Sequence, residues 1–332
     1  MKMKDFFLSA LVAALACAFF SDAGSGPACA LGGPKPQGEA QMEVVLELPW
    51  GSGGAMLGRV DGNESASYGP MSFALSSAGD LYILDQVNLR ILKIYADGSA
   101  GGEIGLPAPG CEDIAVAADG SIVLLSRTAG KALFVLDPAT GHSRSVPIEG
   151  PGIPEGGLVT AMAVEDDGVW LEVLHEVMVR VLDAALAPGD RLVLPGRKYA
   201  GTGTTLGALW KPPRGARLWL QDATTGAVSA GRDFGFAHDI ERIAWWDRDA
   251  AGSVYAAFHL MQFGDQPPYA LRHEEIVGVR LDRALGETGS FSSPYGATDW
   301  MQFREFLVDR GGDVYRMAFS DAGVKVLRWR WK

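Results

Sequence analysis

Few residues in this chain are placed to do chemistry. The five histidines, His142, His175, His238, His259 and His273, form no His-x-His or His-Glu-x-x-His spacing, the patterns that set two imidazoles on one side of a transition metal. His238-Asp239 and His273-Glu274-Glu275 put an imidazole beside a carboxylate, a pairing that can pass a proton and that an ordinary loop charge cluster also contains. No Gly-x-Ser-x-Gly elbow, phosphate loop or dinucleotide fingerprint occurs, and the glycine-rich residues 201–207 (GTGTTLG) lead into no helical pattern. The chain therefore shows no complete catalytic constellation.

Hard cations need several oxygen donors converging from different strands. Carboxylates open three of the predicted inner strands, at Glu112-Asp113, Glu241-Arg242 and Arg304-Glu305. Glu112, Asp113 and Glu241 are the set that could hold a calcium-like ion, and solvated rim charges use the same residues. Of the nine tryptophans, Trp170, Trp219, Trp245, Trp246, Trp300, Trp329 and Trp331 lie in or beside predicted strands, where packing between blades is their ordinary role and a contact patch the alternative. Alternation along a strand sends one of two adjacent residues outward. The outward member of Trp245/Trp246, with Trp300 and the terminal Arg328-Trp329-Arg330-Trp331-Lys332, would then form a contact patch, because aromatics and Arg anchor interfaces.

The elements that must position these residues are short strands. From residue 43 onward an apolar strand, a Gly or Asp-Gly turn and a second apolar strand recur, and no stretch carries clean helical spacing with caps at both ends. The unit is clearest at 70–98 (PMSFALSSAGDLYILDQVNLRILKIYADG) and returns at 113–141, 160–183 and 303–329, with weaker copies at 206–228 and 241–263. The turn glycines fall at 79, 120, 168, 215, 252 and 312, spaced by 41, 48, 47, 37 and 60 residues. A period of about 40–50 residues is that of four-stranded propeller blades, so the pattern predicts an all-β, six-bladed β-propeller over residues 43–332. The long spacing predicts loop insertions at 264–268 and 286–297. Residues 43–49 (EVVLELP) have no hairpin partner after them and are predicted to close the last blade beside residues 324–329, joining the chain ends and removing a sheet edge.

Ahead of this body, Lys2 and Lys4 precede the apolar run 6–20, too short to span a bilayer and suited to a secretory signal over residues 1–30. Ala14-Leu15-Ala16-Cys17 is a loose match to a bacterial lipidation motif, which makes a lipid anchor at Cys17 the alternative. Residues 31–42 read as a linker, and Asn63-Glu64-Ser65 fits a glycosylation sequon. Loss of the signal would leave Cys111 as the sole thiol, without a partner for an intrachain disulfide and without a neighbouring His or Lys to activate it. With 40 acidic against 29 basic residues, a net charge of −11 and no basic stripe, nucleic acid is excluded as a partner; 48% hydrophobic residues exclude a disordered chain.

Residues 70–91 resemble an NHL repeat. Phe73, Gly79-Asp80, Leu81-Tyr82-Ile83, Asp85, Asn88, Arg90 and Ile91 occupy its motif positions, while the other blades keep the turn and lose the Asp/Asn/Arg set. The resemblance implies a propeller of the kind found in exported proteins that bind other macromolecules, with Asp85, Asn88 and Arg90 locking turns and strands. The expectation is therefore a secreted, periplasmic or extracellular, non-enzymatic module that binds or scaffolds another protein, with no membrane span and no cofactor. The alternative is a metal-dependent, lactonase-like hydrolase with a divalent cation, such as calcium, in the propeller channel.

Overall fold

A computed structural model describes Cys29–Ala30 and residues 38, 40–62, 66–199, 203–294 and 300–331. The signal reading, Cys17 and the Asn63 sequon lie outside the described residues, apart from the two-residue strand Cys29–Ala30, which pairs in parallel with Phe234 and Gly235.

Among the described residues six blade sheets follow one another along the chain, each with four antiparallel strands, and blade four carries Cys29–Ala30 as a fifth, parallel strand. Blade one is Ser72–Leu75, Leu81–Asp85, Arg90–Ile94 and Ala100–Gly105; blade two is Asp113–Val116, Ile122–Ser126, Ala132–Leu136 and Ser143–Pro147. Blade three comprises Val159–Glu165, Gly168–Val173, Val177–Asp183 and Val193–Pro195, and blade four Arg197–Tyr199, Thr204–Lys211, Gly215–Asp222 and Val228–Gly235. Blade five is built from longer strands, Asp239–Arg248, Val254–Phe263, Leu271–Leu281 and Glu287–Pro294. Blade six takes Phe306–Val308, Val314–Ser320 and Gly323–Arg330 from the C-terminus and its outer strand, Gln41–Pro49, from the N-terminus. That pairing runs from Gln41 opposite Arg330 to Pro49 opposite Gly323, so the closure expected from the unpartnered opening strand is present. Gly323 permits it: with φ at +151°, an added Cβ would stand 2.1 Å from the Leu48 carbonyl oxygen.

Each blade is covered on both faces, which explains the strand composition. Leu81–Asp85, Ile122–Ser126 and Gly168–Val173 are buried along their whole length rather than at alternate positions. Apolar clusters fill the contacts between blades one and two, two and three, four and five, five and six, and six and one. The contact between blades three and four is polar instead, with Arg197 on Glu172 at 2.7 Å and Lys198 on Asp167 at 2.6 Å.

Antiparallel order gives the ring two unlike faces. First-to-second and third-to-fourth turns lie on one face, and second-to-third turns with the blade connections lie on the other. The repeated glycines Gly79, Gly120, Gly252 and Gly312 sit in the first kind of turn at φ of 86°, 88°, 83° and 92°, the region glycine enters without steric cost.

Two expectations need correction. Gly215 is not the first turn of blade four: it opens the third strand opposite Lys211, and the short inner strand Arg197–Tyr199 precedes the weak repeat at 206–228. The long spacing in blade five comes from strands of 10, 10, 11 and 8 residues; Glu287–Pro294, expected as loop, is the outer strand, and its Ser-rich sequence pairs with Leu271–Leu281.

Candidate functional site

The channel is bridged by ion pairs. Arg304, just before the inner strand of blade six, donates to both carboxylate oxygens of Asp113 in blade two at 2.9 and 2.7 Å and to the Met162 carbonyl of blade three at 2.7 Å. The Ser72 hydroxyl of blade one donates to the same, fully buried carboxylate. Glu112 instead turns back into its own blade and accepts from Arg127 at 2.8 and 3.1 Å. Glu241 is held at the other side of the ring by His259 at 3.1 Å and Arg242 at 3.3 Å. The set Glu112, Asp113 and Glu241 is therefore not brought together: each carboxylate is held by a different cation of the chain. Beyond the Arg304 bridge, toward the ends of the inner strands, the channel keeps a cavity of 420 Å³ that includes Glu165, Asp247 and Arg248 in its wall.

Near the channel, blade three carries a tight polar group. Glu172, 1% exposed, accepts from the Thr160 hydroxyl at 2.9 Å, the His175 Nδ1 side at 2.9 Å and Arg197 at 2.7 and 3.0 Å. Burial works to raise its pKa, but the Arg197 charge and the hydrogen bonds outweigh that and hold it at about 2. His175 and Leu174 form the second-to-third turn of this blade, and both are left-handed, at φ of 58° and 54°.

A cleft of 510 Å³ lies between blades five and six. On its blade-five wall His259, 3% exposed, joins Glu241 at 3.1 Å to Glu274 at 3.0 Å, and on the blade-six side Glu305 accepts from Arg316 and Arg242 at 2.9 Å each. One wall is Trp300, stacked on Trp50 at 5.0 Å.

On the opposite side of blade five, His238, His273 and Glu275 bring three ligand atoms within 4.8 Å of one another. His238 stands in the connection from Val228–Gly235 to Asp239–Arg248, while His273 and Glu275, two apart in Leu271–Leu281, project from one side of that strand. The two imidazole centroids are 4.1 Å apart. His273 Nε2 lies 2.9 Å from a Glu275 oxygen but is not aligned with it as a hydrogen bond, so this buried nitrogen has no hydrogen-bond partner. Two imidazoles and a carboxylate form a donor set that could coordinate a divalent cation of the zinc class, with three protein ligands and a position left over. The sequence singled out these residues as two separate acid–base pairs; their convergence depends on the blade connection folding over the third strand. The spacing His273-x-Glu275 in a strand was the available signal.

The tryptophans behave as core. Trp245, Trp246 and Trp329 are 8%, 5% and 1% exposed, and Trp300 and Trp331 are half-buried. The outward position expected for one of Trp245 and Trp246 does not exist, since blade five has neighbours on both sides: Trp246 packs toward blade four and Trp245 toward blade six. Trp331 donates to the Gly312 carbonyl at 2.8 Å. The NHL-like set is structural. Asp85, fully buried, accepts from Asn88 at 2.7 Å, Arg90 at 3.0 Å and the Gly58 amide at 3.0 Å, while Asn88 and Arg90 donate to the carbonyls of Gly51 and Met56. The three residues thus tie the segment leaving the closing strand onto blade one. Cys111 is buried, and burial, with the Glu112 charge, pushes its thiol up to about 12.

No protein-family model matches the chain, and no curated protein matches it. Solved structures of similar shape include a hydrazine synthase of Kuenenia stuttgartiensis, at 14% identity and a TM-score of 0.49 over 79% of this chain and 80% of that one. A streptogramin B lyase is similar at 11% identity and 0.41, over 83% of this chain and 97% of that one. A DUF4221-family member from Bacteroides vulgatus is similar at 13% and 0.46, over 89% and 99%. Likeness at this level carries nothing about ligand or activity. Among the described residues, no helix is long and apolar enough to cross a membrane.

Proposed function

We propose that this chain is an exported, metal-dependent hydrolase on an NHL-type propeller, with its cation at His238, His273 and Glu275 rather than in the channel. The observation that carries the reading is the convergence of two imidazoles and one carboxylate, with a buried His273 nitrogen left without a hydrogen bond. His238, His273 and Glu275 would hold a zinc-class ion, which when bound would supply Lewis acidity and an activated water for ester or lactone hydrolysis. His238 and His273 would offer neutral ring nitrogens, and Glu275 the charge that offsets part of the ion's. A protein-binding scaffold, the leading expectation from the sequence, rested on a rigid ring with many loops, on the missing catalytic constellation and on exposed tryptophans; with Trp245, Trp246 and Trp329 buried, the last of these is weakened.

The test is metal titration of the chelator-treated protein followed by assays on aryl esters and lactones. The expected result is one Zn²⁺ or Co²⁺ per chain, a raised unfolding temperature, and hydrolysis that is lost on chelation and in His273→Ala. Absence of binding at micromolar metal, or hydrolysis indifferent to both treatments, overturns the reading.

A further inference from the structure

Leu174 and His175, the two central residues of the turn between the second and third strands of blade three, are both left-handed, a conformation that Asn and Gly enter at least cost. The turn is fixed all the same. The Glu176 amide donates to the Val173 carbonyl at 3.0 Å and the Leu174 amide to the Leu158 carbonyl at 3.0 Å, while the His175 amide donates to the Thr160 hydroxyl at 3.2 Å. Backbone in a costly region persists where its surroundings hold it, and it concentrates at side chains whose placement is used. His175 fits that description, since its side chain is 54% exposed and rests on a carboxylate, Glu172, that is almost wholly buried.

The contact fixes where the ring keeps its proton. Glu172 Oε2 lies 2.9 Å from His175 Nδ1 and also accepts from the Thr160 hydroxyl at 2.9 Å and from Arg197 at 3.0 Å, with Oε1 taking the second Arg197 bond at 2.7 Å. Held ionised by Arg197, this carboxylate has only acceptors to offer, so the proton between the two groups sits on Nδ1. In a free side chain the lone pair of neutral imidazole moves between the two nitrogens. Here it stays on Nε2, which takes no hydrogen bond among the described residues.

What this nitrogen can take follows from its surroundings. A metal ion needs further donors, and among the described residues His175 belongs to no group of three ligating side chains. A phosphoryl group needs a cation to receive its charge; the Arg197 guanidinium is already spent on Glu172 and the Trp246 carbonyl, and exposed Glu176 adds negative charge beside the ring. The remaining neighbours are apolar, Leu174 at 52% exposed and the Trp246 ring at 5.3 Å. We propose that His175 is a nucleophilic acceptor for uncharged, activated acyl groups of the anhydride and aryl-ester class, with Glu172 as its positioning residue. The Nε2 lone pair adds to the acyl carbonyl carbon, and the bond to the leaving oxygen breaks with its electron pair, releasing a carboxylate or phenolate. The acylated ring loses its Nδ1 proton to water and becomes a neutral N-acylimidazole. A second water then cleaves the acyl–nitrogen bond, which releases the carboxylic acid and returns the protonated Nδ1. The inference goes beyond the hydrolase reading and needs no cation.

The probe is diethyl pyrocarbonate, applied to the chelator-treated full chain at about pH 8, where an ordinary imidazole is neutral. Attack by Nε2 transfers an ethoxycarbonyl group to the ring, and the ethyl carbonate released falls to carbon dioxide and ethanol. Peptide mass spectrometry reads the rate at each histidine. His142, exposed and with no hydrogen bond to its ring among the described residues, is the comparator. His175 should react about tenfold faster than His142 in the folded chain, the scale on which an outer carboxylate partner tunes an imidazole. In urea the two should react alike. Glu172→Gln should bring the folded-state ratio close to one and leave His142 unchanged, a shift in selectivity that a role confined to stability does not produce. If that variant fails to fold, the ratio in the native chain and its loss in urea still decide. Equal rates in the folded chain, or a ratio that survives in urea or in folded Glu172→Gln, overturn the proposal. The probe reads this nitrogen in metal-free protein, and the ester assays of the hydrolase reading can be run on His175→Ala, so either reading can fail without the other.

Discussion

Removing Arg304 tests whether the ring is held across its channel as well as around its rim. Its guanidinium reaches Asp113 with two bonds of 2.9 and 2.7 Å and joins blades six, two and three through one side chain. Asp113 is fully buried. In Arg304→Ala the carboxylate keeps the Ser72 hydroxyl and the Ile114 amide but loses the charge that offsets its burial. Breaking a buried pair from one side costs about 3–5 kcal/mol, and the two remaining hydrogen bonds place this case near the lower end, at about 3 kcal/mol. For a domain of this size that is a fall of about 6–12 °C in unfolding temperature. Urea unfolding followed by tryptophan fluorescence measures it directly. Adding Asp113→Asn to the Arg304→Ala chain removes the stranded charge, so the double variant should lose clearly less than the sum of the two single losses. A loss below about 1 kcal/mol in Arg304→Ala, or strict additivity in the cycle, would show that water enters the channel and already screens the pair.

Two further outcomes follow from blade three. Glu172 titrates near 2 in the folded chain against 4.5 in a free side chain, so its contribution is fully present above about pH 4.5 and is lost as the pH falls toward 2; the difference is worth about 3 kcal/mol, and urea midpoints between pH 6 and 2 should show a slope that Glu172→Gln flattens. Replacing Leu174-His175 by Asn-Gly gives the turn residues that accept left-handed φ at both positions, and the relief should exceed the lost His175–Glu172 hydrogen bond, raising stability by about 1 kcal/mol; a lower unfolding temperature would show that His175 holds Glu172 more tightly than the geometry suggests.

Blade count, the closing strand and the burial of Cys111 are legible in the sequence because each leaves a local mark. A hairpin glycine recurs at a period, residues 43–49 lack a neighbour to pair with, and no activating residue flanks Cys111. Packing between blades holds for Trp245, Trp246 and Trp329, and the alternative of an outward-facing patch at Trp245 or Trp246 fails for a physical reason. Outward alternation holds for a sheet with one wet face, and a propeller blade between two neighbours has none, so Trp245 and Trp246 are buried on opposite sides of the same strand. The cation set failed differently. Sequence position gives which carboxylates open inner strands, but it does not give where arginines from other blades arrive, and Arg304 reaches Asp113 across 191 residues of chain. His238 with His273 and Glu275 stayed hidden because the contact is made by a loop between blades folding over a strand two places later in the same sheet.

The ring itself argues for function at its rim. A propeller that uses its channel leaves polar groups from several inner strands facing open space, and here groups at the inner strands answer one another: Arg304 with Asp113 and Arg248 with Glu165. Such pairs add rigidity where a ligand would otherwise be received. Blade one, with strands of 4, 5, 5 and 6 residues, covers the core and little more, whereas blade five extends to 10 and 11 residues. The extra length contributes nothing to closing the circle, since blade one closes its share without it. It carries His259 on one side, His273 and Glu275 on the other, and Phe263, Tyr269 and Leu271 near its tip. Shortening the hairpin by joining residues 261 and 274 through a two-residue Asn-Gly turn should therefore leave the six-bladed core folded while removing His273 from the cation set and the exposed apolar tip together.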